Sequence, residues 1–202
     1  MQNFDASLAQ FPQGCEANWV TPARAQQQAN FSAHAQAWLL DPQSLTAKLK
    51  HDAVSFRVSL LGQQQAPMLT CEARWLPAAE ANTPATVREV LLWRNGQPWV
   101  FARSVFPQSA LIDSQLQLHQ LGDKPLGEHL FKQPDLTRSE IEVAEFPAAS
   151  SLGKLNEQLT GTLQPLWGRR SCFAAAGQQV LVAEIFLSPA SIYEQPLWQV
   201  SK

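Results

Sequence analysis

The sequence lacks most of the features that identify a metal, nucleotide or hydrolase site. Its three cysteines (Cys15, Cys71 and Cys172) are too few and too far apart for a disulfide framework, which favours a reducing cytoplasm. Its four histidines include no close pair at zinc-site spacing. No P-loop, dinucleotide-binding G-x-G-x-x-G or G-x-S-x-G elbow occurs. We therefore expect no metal, no cofactor and no serine nucleophile.

Long apolar runs and a strong charge of either sign are also missing. No segment approaches the ~20 apolar residues that cross a membrane, and the N-terminus has neither the basic nor the apolar region of a signal peptide. The net charge of −2 at pH 7 gives no footprint for nucleic acid. We expect a cytoplasmic monomer without a membrane span or a nucleic-acid partner. A small anionic ligand would need a few well-placed cations.

What is present is an ordinary globular composition with regular strand and helix patterns. The hydrophobic fraction of 45% and the charged fraction of 16% suit a folded domain, and 202 residues suit one well-buried core. Residues 1–30, rich in Gln and Ala, are predicted to be a loosely packed N-terminal lead-in, and residues 31–202 one domain. Helices are predicted at residues 33–40, from Ser44 or Asp41 to Lys50, near Pro125 and at residues 154–159.

Strand patterns dominate after residue 54. Alternation from Val54 to Leu60 predicts a half-buried strand, followed by a loop-rich stretch over residues 62–85. Asn95-Gly96 and Gly177 each separate two apolar runs, which indicates two hairpins. The segment TRSEIEVAEF predicts a further strand. Hairpins separated by short helices predict the α+β class, with a mostly antiparallel sheet.

The first hairpin gives a prediction about two arginines. With Asn95 and Gly96 as the loop, regular pairing puts Arg88 opposite Arg103 on one sheet face. Like charges at such positions are unfavourable, so they reach water, pair with internal carboxylates or bind an anionic ligand. The apolar neighbours on this face argue only against plain exposure, and the other two alternatives stay open.

Two further elements suit a small acid as ligand. A helix that begins near Pro125 leaves the N–H groups of Leu126 and Gly127 unpaired by the helix, although every helix has such an end. Glu184 interrupts an apolar strand face in VLVAEIFL. It either forms an ion pair with an arginine of WGRRS, or its carboxyl group meets a ligand hydroxyl or moves a proton.

Six segments of the chain resemble chorismate lyases, in the order and near the spacing of that family: WLLDPQSLT, VREVLLWRNGQPWVFARSVFP, LGDKPLGEHLF, LTRSEIEV, LWGRRSCF and VLVAEIFL. The resemblance covers roughly residues 36–193. It implies a single α+β domain whose antiparallel sheet carries an enclosed site under helical flaps. It also implies conversion of chorismate to 4-hydroxybenzoate and pyruvate without a cofactor, on the route to ubiquinone. Tight enclosure predicts strong product retention and product inhibition.

The resemblance also implies roles for individual residues. Arg88 would hold the ring carboxylate, Leu126 would contact the ligand through its backbone, and Glu184 would meet the 4-hydroxyl group, so Arg88 and Glu184 are the expected catalytic residues. Leu45, where some relatives carry methionine, would add a backbone contact. We further expect Arg103 to bind the second carboxylate or to complete the charge balance. Whether Glu184 transfers a proton or only orients the hydroxyl stays open.

The main alternative is a non-catalytic domain that binds a small aromatic acid. Effector domains of some bacterial transcription regulators share this general fold, but they normally follow a winged-helix domain. Residues 1–35 are too short and too poor in basic residues for one. A degenerate lyase that only binds 4-hydroxybenzoate is disfavoured because Arg88, Leu126 and Glu184 are all present. A hydrolase lacks a nucleophile–base pair.

Overall fold

A computed structural model gives the fold and describes residues 11–28, 32–76, 84–112, 116 and 118–194. The helices are α1 (Pro22–Gln28), α2 (Ala33–Leu39), α3 (Leu45–Lys50), α4 (Thr70–Ala73), α5 (Gln108–Ile112), α6 (Leu126–Leu130) and α7 (Ser151–Thr160). The strands are β1 (Phe56–Ala66), β2 (Ala85–Arg94), β3 (Gln97–Phe106), β4 (Thr137–Arg138), β5 (Glu142–Phe146), β6 (Leu166–Ala175) and β7 (Gln178–Phe186).

The strands form one sheet in the order β1-β2-β3-β7-β6-β4, and β5 pairs with β6 as well. Every pairing between these strands is antiparallel. Because all strands share one sheet, the chain forms a single α+β domain, and the predicted fold class is confirmed. Across the described ranges, no helix is both long and apolar enough to cross a bilayer.

Both predicted hairpins are present and supply the four central strands. Asn95 and Gly96 join β2 to β3 with φ values of 51° and 78°. Ala176 and Gly177 join β6 to β7 with φ values of 49° and 71°. Positive φ at both loop residues matches the right-handed twist of the flanking strands.

The helices of the first half begin and end near their predicted positions, and Ser44 caps α3 by accepting the N–H of Ala47. Helix α7 is longer than the short piece predicted. Its N-terminus is capped by the hydroxyl of Ser150, and its C-terminus ends at Gly161 in the left-handed region. Caps at both ends stabilise the extra turns.

Two strand predictions need correction. Val54 is 94% exposed and precedes β1, which continues to Ala66, so residues 62–66 are strand rather than loop. The single strand predicted for TRSEIEVAEF is instead two strands, β4 and β5, and the regular pairing with β6 is interrupted after Ser139, whose N–H still donates to the carbonyl of Cys172. There the Ser139 hydroxyl, instead of a backbone carbonyl, accepts the N–H of Cys172 at 3.0 Å. Residues 77–83 of the predicted loop lie outside the described residues.

The N-terminal lead-in is packed from residue 11 onward, contrary to the prediction. Trp19 and Val20 are buried, and Val20 forms a β-bridge with Val143. Backbone N–H groups of Gln13 and Gly14 donate to the carboxylate of Glu89 at 2.8 and 3.0 Å. Because backbone groups anchor this segment, its packing does not require a regular pattern of apolar residues that the sequence would show. Residues 1–10, 29 and 30 of the lead-in lie outside the described part of the chain.

The sheet separates two layers, and each layer contains two apolar clusters. On the front face, which carries Arg88 and Glu184, α2 and α3 cover one cluster, and α5 and α6 cover the other. On the back face, which carries Glu89 and Arg103, α7, the N-terminal segment and the residues around α4 cover the remaining two. A band of polar and charged side chains lies between the clusters on each face.

Candidate active site

A β-bulge in the first hairpin decides which β3 side chains reach the front face. Next to the turn, Trp93 pairs with Pro98. One position further, Leu92 pairs with Val100, so Trp99 is an extra residue on β3. Because side chains alternate along a strand, one inserted residue moves all later β3 side chains to the opposite face.

As a result, Arg88 and Arg103 lie on opposite faces of the sheet. Arg88 pairs with Ser104 on the front face, and Arg103 pairs with Glu89 on the back face. The prediction that the two arginines face each other is therefore wrong. It assumed a regular ladder through the whole hairpin.

Arg103 belongs to an ion-pair cluster on the back face. Its Nε and Nη2 donate to both carboxylate oxygens of Glu72 at 2.7 and 3.0 Å, and its Nη1 donates to Glu89 at 2.8 Å. Burial alone would lower the pKa of Arg103, but these carboxylates raise it. Of the alternatives left open for these arginines, pairing with internal carboxylates is the one found for Arg103. The expectation that it binds a ligand carboxylate is corrected, because its charge is already balanced.

Arg88 is buried without a carboxylate partner among the residues that the structure describes. Its side chain donates to the amide oxygen of Gln63 at 3.0 Å and to the carbonyl of Lys124 at 3.2 Å. Burial lowers the pKa of Arg88, and the exposed Asp123 offsets part of that effect. Burying a cation whose only partners are neutral acceptors is unfavourable in free energy unless an anion also binds it. This environment favours an anionic ligand.

Glu184 also lies on the front face, as alternation along β7 predicts. Arg169 Nε donates to Glu184 Oε2 at 2.8 Å, which confirms the ion-pair interpretation. Arg169 is fixed in turn by the carbonyls of Trp38 and Asp41 at 3.1 and 2.7 Å. Within the described ranges, Glu184 Oε1 accepts no hydrogen bond. The ion pair therefore orients Glu184 and leaves one oxygen for a ligand.

Arg88 and Glu184 lie near each other on the front face. Arg88 pairs with Ser104, Ser104 pairs with Val182, and Glu184 is the next residue of that face on β7. Two strand spacings and one two-residue step place their Cα atoms about 12 Å apart.

Arg138 also lies on this face, although it is not among the predicted site residues. It lies on β4 opposite Phe173, and its Nε donates to the hydroxyl of Ser171 at 2.9 Å. Burial and the neighbouring Arg169 charge lower the pKa of Arg138 to about 10. Strand β4 has two residues, so no alternation in the sequence could assign this side chain to a face.

Helices α3 and α6 approach each other above the band. Leu45 and Leu126, their first residues, are both buried. A Cβ on Gly127 would lie 3.5 Å from Thr46 Oγ1, an ordinary contact, so the two N-terminal turns meet. Lys50 joins them further along with an ion pair to Glu128 at 2.5 Å. The backbone contacts expected from Leu45 and Leu126 stay predictions.

Metal-ligating side chains are not clustered here. Within the ranges that the structure describes, no group of three or more His, Cys, Asp and Glu side chains has the arrangement of a metal site. The chemistry available on the front face comes from guanidinium groups, one carboxylate, hydroxyls and backbone N–H groups.

Sequence comparisons identify a family and close relatives. The family model described as chorismate lyase matches residues 16–197. A protein named probable chorismate pyruvate-lyase from Idiomarina loihiensis is 40% identical over 186 residues, which covers 92% of this chain and 93% of the relative. A protein of the same name from Shewanella loihica is 41% identical over 181 residues, covering 89% of this chain and 92% of the relative.

Solved structures share the fold at low sequence identity. The ligand-binding domain of a protein described as a GntR-family transcriptional regulator from Bordetella bronchiseptica is 15% identical with a TM-score of 0.50, covering 69% of this chain and 86% of that domain. PhnF from Mycobacterium smegmatis is 13% identical with a TM-score of 0.51, covering 74% of this chain and 66% of PhnF. At these identities the likeness concerns the fold alone.

Proposed function

The chain belongs to the chorismate lyase family, and on that premise we propose that it splits chorismate into 4-hydroxybenzoate and pyruvate without a cofactor. The 4-hydroxybenzoate would serve as the precursor of ubiquinone. The observation that carries this proposal is Arg88, a buried guanidinium that meets only neutral acceptors among the described residues. The free oxygen of Glu184 on the same face supports it.

Chorismate offers the groups that these residues would bind. Its ring carries a carboxylate at C1, a hydroxyl at C4 and an enolpyruvyl ether with a second carboxylate at C3. Arg88 binds the ring carboxylate through a bidentate pair. Glu184 Oε1 accepts the hydrogen bond of the C4 hydroxyl. Leu126 and Leu45 contact the ligand through their backbone, since the first N–H groups of α6 and α3 have no partner inside the helix.

The reaction is an elimination that makes the ring aromatic. The C4 proton leaves, and its electron pair forms the C3–C4 double bond while the C3–O bond breaks. The leaving group takes the electron pair of that bond as the enolate of pyruvate, and protonation of its methylene carbon gives pyruvate. The protein holds the reactive conformer and excludes water. The proton passes either within the substrate or through Glu184.

The contact between α3 and α6 supports slow release of the aromatic product. Apolar residues of both helices pack on the front face, Leu45 and Leu49 on one cluster and Leu126 and Leu130 on the other. A product beneath them leaves only when a helix moves. We therefore propose strong product inhibition. One chain supplies every group named above, so we propose that the monomer is active.

Incubation of the purified protein with chorismate tests this function. Equal amounts of 4-hydroxybenzoate and pyruvate, above a control without protein, are the expected result. Tight binding of 4-hydroxybenzoate without pyruvate formation would instead favour the non-catalytic alternative. Formation of 3-hydroxybenzoate would contradict the proposed product.

A further inference from the structure

Charges are balanced differently on the two faces of the sheet. Two groups of ion pairs on the back face together contain three guanidinium groups and three carboxylates: Arg103 with Glu72 and Glu89, and Arg74 and Arg170 with Glu142. The polar band of the front face also carries three guanidinium groups, those of Arg88, Arg138 and Arg169. Arg94 lies on the same face at the turn end, outside this band, and donates to the carbonyls of Leu49 and His51. Among the described residues, only Glu184 contacts any of the three arginines of the band through a carboxylate. The polar band of the front face therefore has an excess of two positive charges.

Other acids near the front face do not remove this excess. The carboxylate of Asp41 forms an ion pair with Lys48 at 2.8 Å. Asp41 contacts Arg138 and Arg169 only through its backbone carbonyl. Asp123 is exposed to solvent, where water screens its charge. Since shielded cations without counter-charges are unfavourable, a bound molecule with two negative charges fits this face.

The three arginines of the front band differ in the groups that already bind them. Arg169 is bound by Glu184, and the ring carboxylate is assigned to Arg88. Arg138 remains, with only neutral acceptors: the Ser171 hydroxyl and the carbonyls of Asp41 and Pro42. Its Nη2 makes no hydrogen bond to any residue in the described ranges.

Arg138 is also placed to reach the same ligand as Arg88. Its side chain extends to Ser171, which pairs with Val182, and Val182 pairs with Ser104 opposite Arg88. The two arginines thus approach one row of side chains from opposite ends, across roughly 14 Å of sheet. Glu184 lies in the adjacent row between them.

We propose that Arg138 binds the second carboxylate of the substrate, the one on the enolpyruvyl group. This inference rests on the proposed function and replaces the role expected of Arg103. Arg138 then contacts the part of the substrate that leaves as pyruvate. It discriminates between chorismate, which has two carboxylates, and 4-hydroxybenzoate, which has one.

The variant Arg138→Gln tests this assignment because it removes the charge and keeps an N–H donor for Ser171. Loss of one partner of a shielded charge pair is expected to lower kcat/KM for chorismate roughly 30-fold to several thousand-fold. The dissociation constant of 4-hydroxybenzoate should change less than about threefold, since this product has no second carboxylate. Arg88→Gln should weaken both. Arg24→Gln, an exposed arginine on α1, is the control and should change neither.

A binding assay separates this inference from the activity itself. The probes are 3-(carboxymethoxy)benzoate, an aromatic dicarboxylate, and benzoate. The wild-type protein should prefer the dicarboxylate, and Arg138→Gln should lose that preference. This ratio is measurable even if the wild-type protein releases no pyruvate from chorismate, a result that would overturn the proposed function alone.

Two outcomes would overturn the role of Arg138. One is an unchanged dicarboxylate preference in Arg138→Gln. The other is an equal loss of affinity for 4-hydroxybenzoate and for the dicarboxylate, which a merely structural role would give. Thermal unfolding of each variant shows whether it folds. If Arg138→Gln does not fold, Arg138→Lys replaces it: this variant keeps the charge, so it should retain the preference, and its loss would contradict the proposal.

Discussion

At the scale of single residues, Arg88 and Arg103 show how two buried arginines acquire different tasks. Both are 2% exposed. Arg103 contacts two carboxylates, whereas Arg88 contacts an amide oxygen and a carbonyl. Breaking a buried ion pair leaves an uncompensated charge, whereas removing a lone buried cation also removes its desolvation cost. The two positions should therefore respond oppositely in stability and in binding.

Arg103→Met should lower the free energy of unfolding by about 3–5 kcal/mol, because Glu72 and Glu89 would remain buried without their cation. Urea unfolding measures the loss. Arg24→Met, at an exposed position on α1, is the matched control and should change stability by less than about 0.5 kcal/mol. A similar small change for Arg103→Met would show that the back-face cluster contributes little.

Arg88→Met should abolish binding of 4-hydroxybenzoate while leaving the free energy of unfolding unchanged or raised. The apolar side chain fills similar space without a charge to desolvate. Isothermal titration calorimetry and urea unfolding together check both parts. Near-normal affinity for 4-hydroxybenzoate in this variant would refute the assignment of Arg88 to the ring carboxylate.

Glu184→Gln tests whether the carboxylate orients the hydroxyl or moves the proton. Since Arg169 already occupies Oε2, we expect Oε1 to orient the substrate, and kcat should fall roughly 10- to 100-fold, the value of one charged hydrogen bond. Single-turnover measurements separate this step from product release. A loss well above about 10³-fold would show instead that proton transfer needs the carboxylate.

At the scale of elements, local turn chemistry was predictable and the ladder beyond it was not. Asn95 and Gly96 indicate their own turn because they tolerate positive φ. The bulge at Trp99 lies at a contact from outside the hairpin: the Trp99 ring lies 5.9 Å from that of Trp38, on α2. Such tertiary packing leaves no local signal, so the face of Arg103 was predicted wrongly.

The candidate site was predicted where strand alternation is long and regular. Glu184 follows from a nine-residue strand, and α6 follows from the start signal at Pro125. Arg138 was missed because β4 is too short to show alternation and its partner strand is more than thirty residues away, as the Arg138–Ser171 separation of 33 shows. The contacts of Glu72 with Arg103, and of the N-terminal segment with Glu89, join residues far apart in the sequence and were likewise not predictable.

The ion pair between Lys50 and Glu128 connects α3 and α6, so its removal tests the proposal that these helices slow the release of the product. Glu128→Gln should speed dissociation of 4-hydroxybenzoate by up to about fivefold, since an exposed ion pair contributes at most about 1 kcal/mol. Stopped-flow tryptophan fluorescence measures this rate.

Lys132→Gln is the matched control for the flap experiment. It removes the second partner of Glu128, Lys132, which lies two residues after the end of α6 with its Nζ 3.3 Å from Glu128 Oε1, and it leaves the contact to Lys50 intact. Equal dissociation rates in wild type and Glu128→Gln would show that the flaps are held by their apolar residues alone.

At the scale of the whole molecule, one sheet carries two buried polar bands with different tasks. The back band is balanced within itself and joins the N-terminal segment to the core through Glu89. The front band lacks two negative charges that the proposed substrate brings. This asymmetry would account for the proposed anion site in a chain whose net charge is −2: both faces carry guanidinium groups, but only the front band lacks the carboxylates to balance them.

Binding should therefore stabilise the entire fold through the front face. A ligand at one hundred times its dissociation constant adds about 2.7 kcal/mol to the free energy of unfolding, and for a domain of this size each kcal/mol raises the midpoint by about 2–4 °C. We expect 4-hydroxybenzoate to raise the thermal midpoint of the wild-type protein by roughly 5–10 °C. Phenol, which lacks the carboxylate, should raise it little. Arg88→Met should show no shift with 4-hydroxybenzoate, because the uncompensated cation that the ligand neutralises is gone. An equal shift in Arg88→Met and wild type would place the ligand elsewhere on the molecule.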